Sequence, residues 1–349
     1  MFEIPTVLTA DEILDKAFRK ASKVDYQGRT KIETVKEINI GKLKSASDVI
    51  VSTMGKYVKA FPSFGRLSPF YAELIEVTIG TDKLKKSLGA LDWCRGNVAR
   101  MSKAAIRDIV AARTISQVDE VRRSSYGRIS SFVKQVRKEL KFLGQARNTM
   151  RKFPAVNPDL PTIVIAGAPN VGKSQLVGKM STAKPRVAVY PFTTQEISVG
   201  TFEKRYRRYQ VIDTPGLLDR ELAERNKMEL RAILALKHLA NAIIFMFDPT
   251  ETCGYPMSDQ EHLLDTVKWE FKKVPIIEVE NKADLLKSKS GRTRISASTG
   301  KGVSDLVDRL VAILNAQGSV ALSGGGLSSH RSNATRSIRL RPCARHRVV

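Results

Sequence analysis

The run Gly167-Ala168-Pro169-Asn170-Val171-Gly172-Lys173-Ser174 constrains this chain more than any other stretch. It fits G-x-x-x-x-G-K-[ST], a pattern that carries meaning only between a strand and a helix. Both neighbours can be read: Thr162 to Ala166 is a short apolar run that predicts a strand, and Lys173 to Ser181 predicts a helix. Glycines let such a loop wrap phosphates, and the helix N-terminus offers unpaired N–H groups to them. Lys173 would meet the β- and γ-phosphates, where it also serves catalysis, and the Ser174 hydroxyl would ligate Mg²⁺. Gly167, Asn170, Val171, Gly172 and Gln175 complete the phosphate side of a nucleotide site.

Beyond this loop, short apolar runs alternate with amphipathic stretches. Strands are expected at Thr162 to Ala166, Ile197 to Phe202, Tyr209 to Asp213, Ala242 to Asp248, Pro275 to Val279 and Thr293 to Ser296. Helices are expected at Lys173 to Ser181, Glu221 to Leu239, Ser258 to Phe271 and Val303 to Leu314. Such βα alternation predicts an α/β P-loop domain, with a mainly parallel sheet covered by helices on both faces.

Open sheets of this kind bind ligands at the carboxyl ends of their strands, and further motifs stand there. Asp213-Thr214-Pro215-Gly216 follows one expected strand: Asp213 can hold a magnesium-bound water, and the Gly216 N–H can sense the γ-phosphate. Thr193 and Thr194 lie between the phosphate loop and that strand, where a segment can close a hydroxyl onto the metal when the γ-phosphate is present; Thr194 is the assigned ligand. Asn281-Lys282-Ala283-Asp284 selects the base. A carboxylate at Asp284 can accept hydrogen bonds from guanine N1–H and the 2-amino group, donors that adenine lacks. Lys282 can lay its stem along the base, Asn281 can brace the phosphate loop, and Ser296-Ala297-Ser298 can offer a backbone N–H to guanine O6. GTP or GDP with Mg²⁺ is therefore the expected ligand. Leu217 stands where Ras-like enzymes carry the glutamine that orients water, so intrinsic hydrolysis should be slow, completed by another group, or lost so that GTP only gates binding.

Residues 1 to 155 show helical periodicity and few strand signals. Thr9 and Glu12 form a capping-box pattern ahead of Ile13, Leu14, Ala17 and Phe18. A turn rich in proline and aromatic residues precedes a helix resuming near Ser68. Thr81 to about Arg151 reads as two long helices, broken near Arg113 to Gln117. The organisation expected is a helical domain over 1–155, a proline-marked linker, a GTPase domain over 161–315, and a disordered Arg/Ser/Gly-rich tail over 316–349.

The formal net charge of +24 is distributed unevenly along this plan. Residues 1–160 hold 30 Lys and Arg against 17 Asp and Glu, residues 161–315 hold 23 against 18, and residues 316–349 hold 6 against none. A basic excess outside the catalytic part points to a polyanion, RNA above all, although any single cation is read first as a solvated face. Cys94, Cys253 and Cys343 lie far apart and the histidines do not cluster, so neither disulfide nor zinc chemistry is indicated. With no apolar run longer than Ala242 to Phe247, the expected setting is the cell interior.

With these residues in place, the chain resembles the Obg-like branch of translation-factor GTPases, whose Y-x-F-T-T signature is matched by Tyr190-Pro191-Phe192-Thr193-Thr194. Within it the likeness is to the Nog family, the nucleolar GTP-binding proteins and their archaeal relatives. Ile4-Pro5-Thr6-Val7, Pro69-Phe70-Tyr71-Ala72-Glu73-Leu74, and Asp213 to Asp219 running into Arg225-Asn226 carry it. The resemblance implies a helical bundle fused to the GTPase domain, binding to large ribosomal subunit precursors and their rRNA, and GTP-dependent assembly. It implies a cytoplasmic protein, nucleolar in a eukaryote, and the lack of a long C-terminal extension makes the archaeal form the nearer likeness. It also implies that Asn170 could hold an activating K⁺, as in similar GTPases with Pro-Asn in this loop, compensating for Leu217. The alternative expectations are a signalling or stress GTPase with a protein effector, and a non-catalytic scaffold gated by GTP.

Overall fold

A computed structural model describes residues 2–189, 196–215, 218–219, 233–286 and 290–323. The amino-terminal part is helical: α1 (Ala10–Ser22), α2 (Lys31–Ala60), α3 (Pro69–Thr78), α4 (Thr81–Ala111), α5 (Ile115–Gln135) and α6 (Arg137–Arg151). Each start has a local cause. At α1 the Thr9 N–H donates to Glu12 Oε2 at 2.7 Å while Thr9 Oγ1 accepts from the Glu12 N–H at 3.3 Å, closing the expected capping box. Thr114 and Gln117 repeat the arrangement at α5, which explains the break read near Arg113 to Gln117. Ser68 caps α3, with Pro69 at its first position, where a missing N–H costs nothing.

Two features differ from the sequence expectation. Helix α2, 30 residues long, is the central partner of α1 and α4, although no boundary for it stands out in the sequence. The second long helix expected after Gln117 is two helices, because the backbone at Val136 (φ −94°, ψ 19°) leaves the α region. The offset keeps Val136 buried and lets Leu140, Leu143, Ala146 and Met150 of α6 bury a face of their own, with α6 packed on α4.

The second part is a sheet of β1 (Thr162–Ala166), β2 (Arg186–Val189), β3 (Glu196–Lys204), β4 (Arg207–Asp213), β5 (Ala240–Phe247), β6 (Ile276–Glu280) and β7 (Thr293–Arg294), in the order β2-β3-β4-β1-β5-β6-β7. β2 and β3 run antiparallel, as do β3 and β4, and the other neighbours are parallel. The central strands are buried along nearly their whole length, as strands covered on both faces must be. Helices α7 (Lys173–Met180), α8 (Met257–Glu270) and α9 (Val303–Ser323) accompany them. β7 is shorter than the expected Thr293 to Ser296 because Ser296 turns away and donates its N–H to the Lys301 carbonyl at 2.9 Å. The helix expected over Glu221 to Leu239 is described only from 233 on, and 233–237 are helical.

One aromatic side chain ties the two parts together. Tyr71 of α3 donates its hydroxyl to the Pro154 and Val156 carbonyls at 2.9 and 2.8 Å and accepts the Val156 N–H at 3.2 Å. Next along, the Asn157 N–H donates to Gln210 Oε1 of β4 at 3.1 Å. Desolvation pushes the Tyr71 phenol up to about 12, so it stays a donor throughout the accessible pH range.

Candidate nucleotide site

The phosphate loop sits between β1 and α7, and its shape requires glycine at two positions. Gly167 has φ 138°, and a Cβ there would stand 2.5 Å from the Met246 carbonyl oxygen; Gly172 has φ 103°, and a Cβ there would meet Asn281 Nδ2 at 2.3 Å. Asn170, at φ 61°, is an exposed non-glycine residue in the same left-handed region. Buried Lys173 donates from Nζ to the Gly167 and Ala168 carbonyls, both at 2.8 Å. Burial lowers the pKa of its ammonium, and the charges of Asp219 and Asp213 oppose that shift.

At the end of β4, Asp213 is fully buried. One carboxylate oxygen accepts from the Ser174 hydroxyl, and the other, Oδ1, has no hydrogen-bond partner among the described residues. Burial raises the Asp213 pKa, against the Ser174 hydrogen bond and the Lys173 charge, which lower it. A buried carboxylate oxygen without a partner beside a serine hydroxyl is a donor set that fits a hard divalent cation. Thr193, Thr194, Gly216 and Leu217 lie outside the described residues.

The base side is organised by Asn281. Its Nδ2 donates to the Val171 carbonyl at 2.7 Å, and its Oδ1 accepts the Ala297 N–H at 2.8 Å, so one side chain joins the phosphate loop to the loop after β7. Lys282 lines the same cleft of about 580 Å³ as Asn170, Gly172, Lys173, Ser174 and Gln175. Asp284 is exposed on the turn that follows, and buried Ser296 pairs its hydroxyl with that of Ser298 at 2.9 Å.

Asp248, at the end of β5, was not singled out by sequence reasoning. It is fully buried and takes the Lys282 ammonium at 2.6 Å, the Cys253 N–H at 2.8 Å and the Thr250 hydroxyl at 2.6 Å. Burial pushes this carboxyl up, but the hydrogen bonds from Lys282 and Thr250 outweigh it and hold the pKa below the ordinary value. Lys282, at φ 59°, is thereby fixed at both its backbone and its ammonium end. The available signal was Asp248-Pro249-Thr250 directly after an apolar strand, at the same sheet end as the other motifs.

Three family models match the chain: NOG1 N-terminal helical domain over residues 2–157, Nucleolar GTP-binding protein 1 (NOG1) over 227–284, and Ferrous iron transport protein B over 161–253. An uncharacterized protein of Methanocaldococcus jannaschii is 40% identical, covering 81% of each chain. Nucleolar GTP-binding protein 1 of Drosophila melanogaster is 33% identical over 79% of this chain and 42% of its own length. The Saccharomyces cerevisiae protein of that name is 30% identical over 82% of this chain and 44% of its own. This chain thus spans about two fifths of the length of these two eukaryotic relatives. Among solved structures, a candidate nucleolar GTP-binding protein 1 of Plasmodium falciparum is 34% identical, covering 49% of this chain and 95% of that one, with a TM-score of 0.45.

Proposed function

The chain belongs to the nucleolar GTP-binding protein 1 family, and from that premise we propose that it binds GTP and GDP with Mg²⁺, hydrolyses GTP slowly, and couples the nucleotide state to assembly of the large ribosomal subunit. The observation that carries the nucleotide reading is the Asn281 side chain, which holds Val171 of the phosphate loop and Ala297 of the base loop at one cleft. Phosphates would lie on the N–H groups of Gly167 to Ser174, and guanine would lie along Lys282 with its N1–H and 2-amino groups on Asp284.

Ser174 and Asp213 would hold Mg²⁺, the latter through water, with Thr194 joining when the γ-phosphate is present. The ion supplies charge neutralisation at the β- and γ-phosphates when bound. Lys173 adds a fixed positive charge at the same place, and the Gly216 N–H reads the γ-phosphate. Leucine at 217 cannot orient water, so we assign slow intrinsic turnover and offer Asn170 as the ligand of an activating K⁺.

In this reading residues 1–155 are the ribosome-binding unit, 161–315 the GTPase unit, and 316–349 an appended tail. The excess of cations in the first, 30 against 17 over residues 1–160, supports rRNA as its partner. No helix among the described residues is long and apolar enough to cross a membrane. We place the protein's work where ribosomal precursors are, in the cytoplasm or, in a eukaryotic cell, the nucleolus.

The decisive measurement is GTP turnover by the full chain in K⁺ against Na⁺ buffer, with and without large ribosomal subunits. Faster turnover in K⁺ that rises again with subunits is expected. Tight GTP binding without turnover in any of these conditions would replace the enzyme with a GTP-gated scaffold, and turnover indifferent to ribosomal particles would favour a protein effector.

A further inference from the structure

The β3–β4 hairpin turns in two residues, Arg205 and Tyr206, since Lys204 pairs with Arg207 in the ladder. Both turn residues have positive φ, 50° and 60°. A two-residue turn of this kind matches the twist of the strands, and its ordinary occupants are asparagine and glycine because a Cβ is crowded there. This chain places an arginine and a tyrosine at those positions. The Tyr206 side chain gains no packing in return: its relative exposure is 102%, the largest among the exposed large hydrophobic residues described. Strain of this sort, kept where it earns no burial, is a pointer to use by something outside the chain.

The chemistry at the tip says what that is. Lys204, Arg205, Arg207 and Arg208 flank Tyr206 in the sequence. Three of these cations are held in place locally: Lys204 by Asp308 at 3.0 Å, Arg207 by Asn315 Oδ1 at 3.2 Å, and Arg208 loosely by Glu203 at 3.8 Å. Arg205 makes no ion pair among the described residues. An aromatic face standing free in solvent among cations is the combination by which proteins hold unpaired nucleotides, the base stacking on the ring and the phosphates meeting the cations.

The position of the hairpin agrees. β4 runs from Arg207 at the tip to Asp213 at the nucleotide cleft, so the tip lies about 20 Å from the cleft, at the opposite end of the sheet. At that same end β1 begins, with Thr162 beside Gln210, and the linker from the helical part arrives, its Pro161 carbonyl accepting the Gln210 N–H. Helix α9 also passes there, through Asn315, and the sequence from 316 on carries 6 arginines and no acidic residue.

We infer that the β3–β4 hairpin, through Tyr206 and Arg205, is a contact for single-stranded RNA on the GTPase part of the chain, separate from the basic helical part. The inference rests on the reading that the partner is ribosomal RNA and adds a second, local grip to it.

The test uses the full chain, a fluorescein-labelled oligouridylate and an RNA duplex of the same length. Two variants are compared: Tyr206→Leu, which removes the ring and keeps the charge, and Arg205→Asn/Tyr206→Gly, which installs the ordinary turn. Both should weaken oligouridylate binding about tenfold, the loss of one base stack. The double variant should also flatten the salt dependence by roughly the share of one phosphate contact. Its melting temperature should rise, because the turn is relieved, and GTP affinity should not move in either variant. Unchanged oligouridylate affinity in both variants, with the parent chain binding it, would overturn the hairpin and leave the ribosomal reading standing. A parent chain that binds neither RNA would overturn both. Equal weakening on duplex RNA would overturn the single-strand assignment.

Discussion

The helical part and the sheet part bury different kinds of polar group, and the contrast separates stability from function. Among the described residues, the helices bury Asn39, Ser47, Thr53, Ser87, Ser102 and Ser125. These are small, and where they bond they serve their own helix: Asn39 donates to the Val35 carbonyl and Ser125 to that of Val121, one turn back. The sheet part also buries small groups, Thr162, Thr214 and Ser296, but adds Lys173, Gln210, Asp213, Asp248, Gln260, Glu280 and Asn281, which can ionise or reach across elements. Burying a charge is costly unless a partner offsets it, and the sheet part concentrates that cost around one cleft.

The largest expected effects test this division directly. Lys173→Met removes a desolvated cation and puts an apolar chain of similar length in its place. GTP affinity should fall about 100-fold or more, while resistance to denaturant holds or rises, because the burial cost of the ammonium is gone. Leu43→Ala, in the fully buried core of α2, should do the reverse: a loss of about 2–5 kcal/mol in chemical denaturation with GTP affinity kept in the folded protein. Fluorescent-nucleotide titration and urea melts on both variants decide it. A Lys173→Met chain less stable than Leu43→Ala would break the comparison.

Asp284→Ala comes next. Asp284 is exposed, so stability should stay within about 0.5 kcal/mol. Affinity for GTP should fall at least ~10-fold with the loss of the two charge-assisted hydrogen bonds. ATP competing as well as GTP against the parent chain would remove the guanine assignment altogether.

A smaller effect is expected at the joint between the two parts. Tyr71→Phe removes the donor to the buried Val156 carbonyl, while the Val156 N–H keeps the Pro154 carbonyl at 2.9 Å as its acceptor. The expected cost is about 1–3 kcal/mol of stability, with GTP affinity unchanged. The family stretch Pro69 to Leu74 thereby acquires a physical role, since its tyrosine fastens the linker. Affinity that fell together with stability would mean that the joint also shapes the cleft.

How far each part could be read from sequence follows from the range of its interactions. The capping box at Thr9 and Glu12 was legible because it closes within one turn, and β1 and β5 were legible because buried parallel strands are nearly continuous apolar runs. β2 was not, being a four-residue strand in which Arg186 and Val187 are exposed, a pattern that reads as loop. Nor was the break at Val136, where the apolar spacing continues through a backbone offset. In the site, Gly167 to Ser174 and Asn281 to Asp284 are contiguous motifs whose residue types carry their chemistry. Asp248 is different: its partner Lys282 is 34 residues away, and only the fold brings the two together.

The smallest expected effect concerns a charge cluster on β6. Glu278 of β6 accepts from Lys268 at 2.8 Å and from Arg292 Nε at 2.9 Å. Burial pushes its carboxyl up, but these two cations outweigh burial and hold the pKa below the ordinary value. A carboxylate depressed by folding contributes stability that is fully present above its unfolded pKa and fades as pH falls through the folded one. The parent chain should therefore lose a little stability on acidification through the carboxylate range, and Glu278→Gln should lose that share of the dependence. The Glu278 side chain keeps 28% of its exposure and Lys268 keeps 48%, so solvent screens the pair and the share should stay under about 1 kcal/mol. Urea melts of the two chains at neutral and acidic pH give the difference. Arg292 also stacks on the Phe247 ring at 4.0 Å, a contact that the substitution leaves in place, so Glu278→Gln isolates the charge. A loss well beyond 1 kcal/mol at neutral pH would mean that Glu278 is needed to keep Arg292 on that ring. The sheet part would then depend on partly exposed charge for its fold and on buried charge for its ligand.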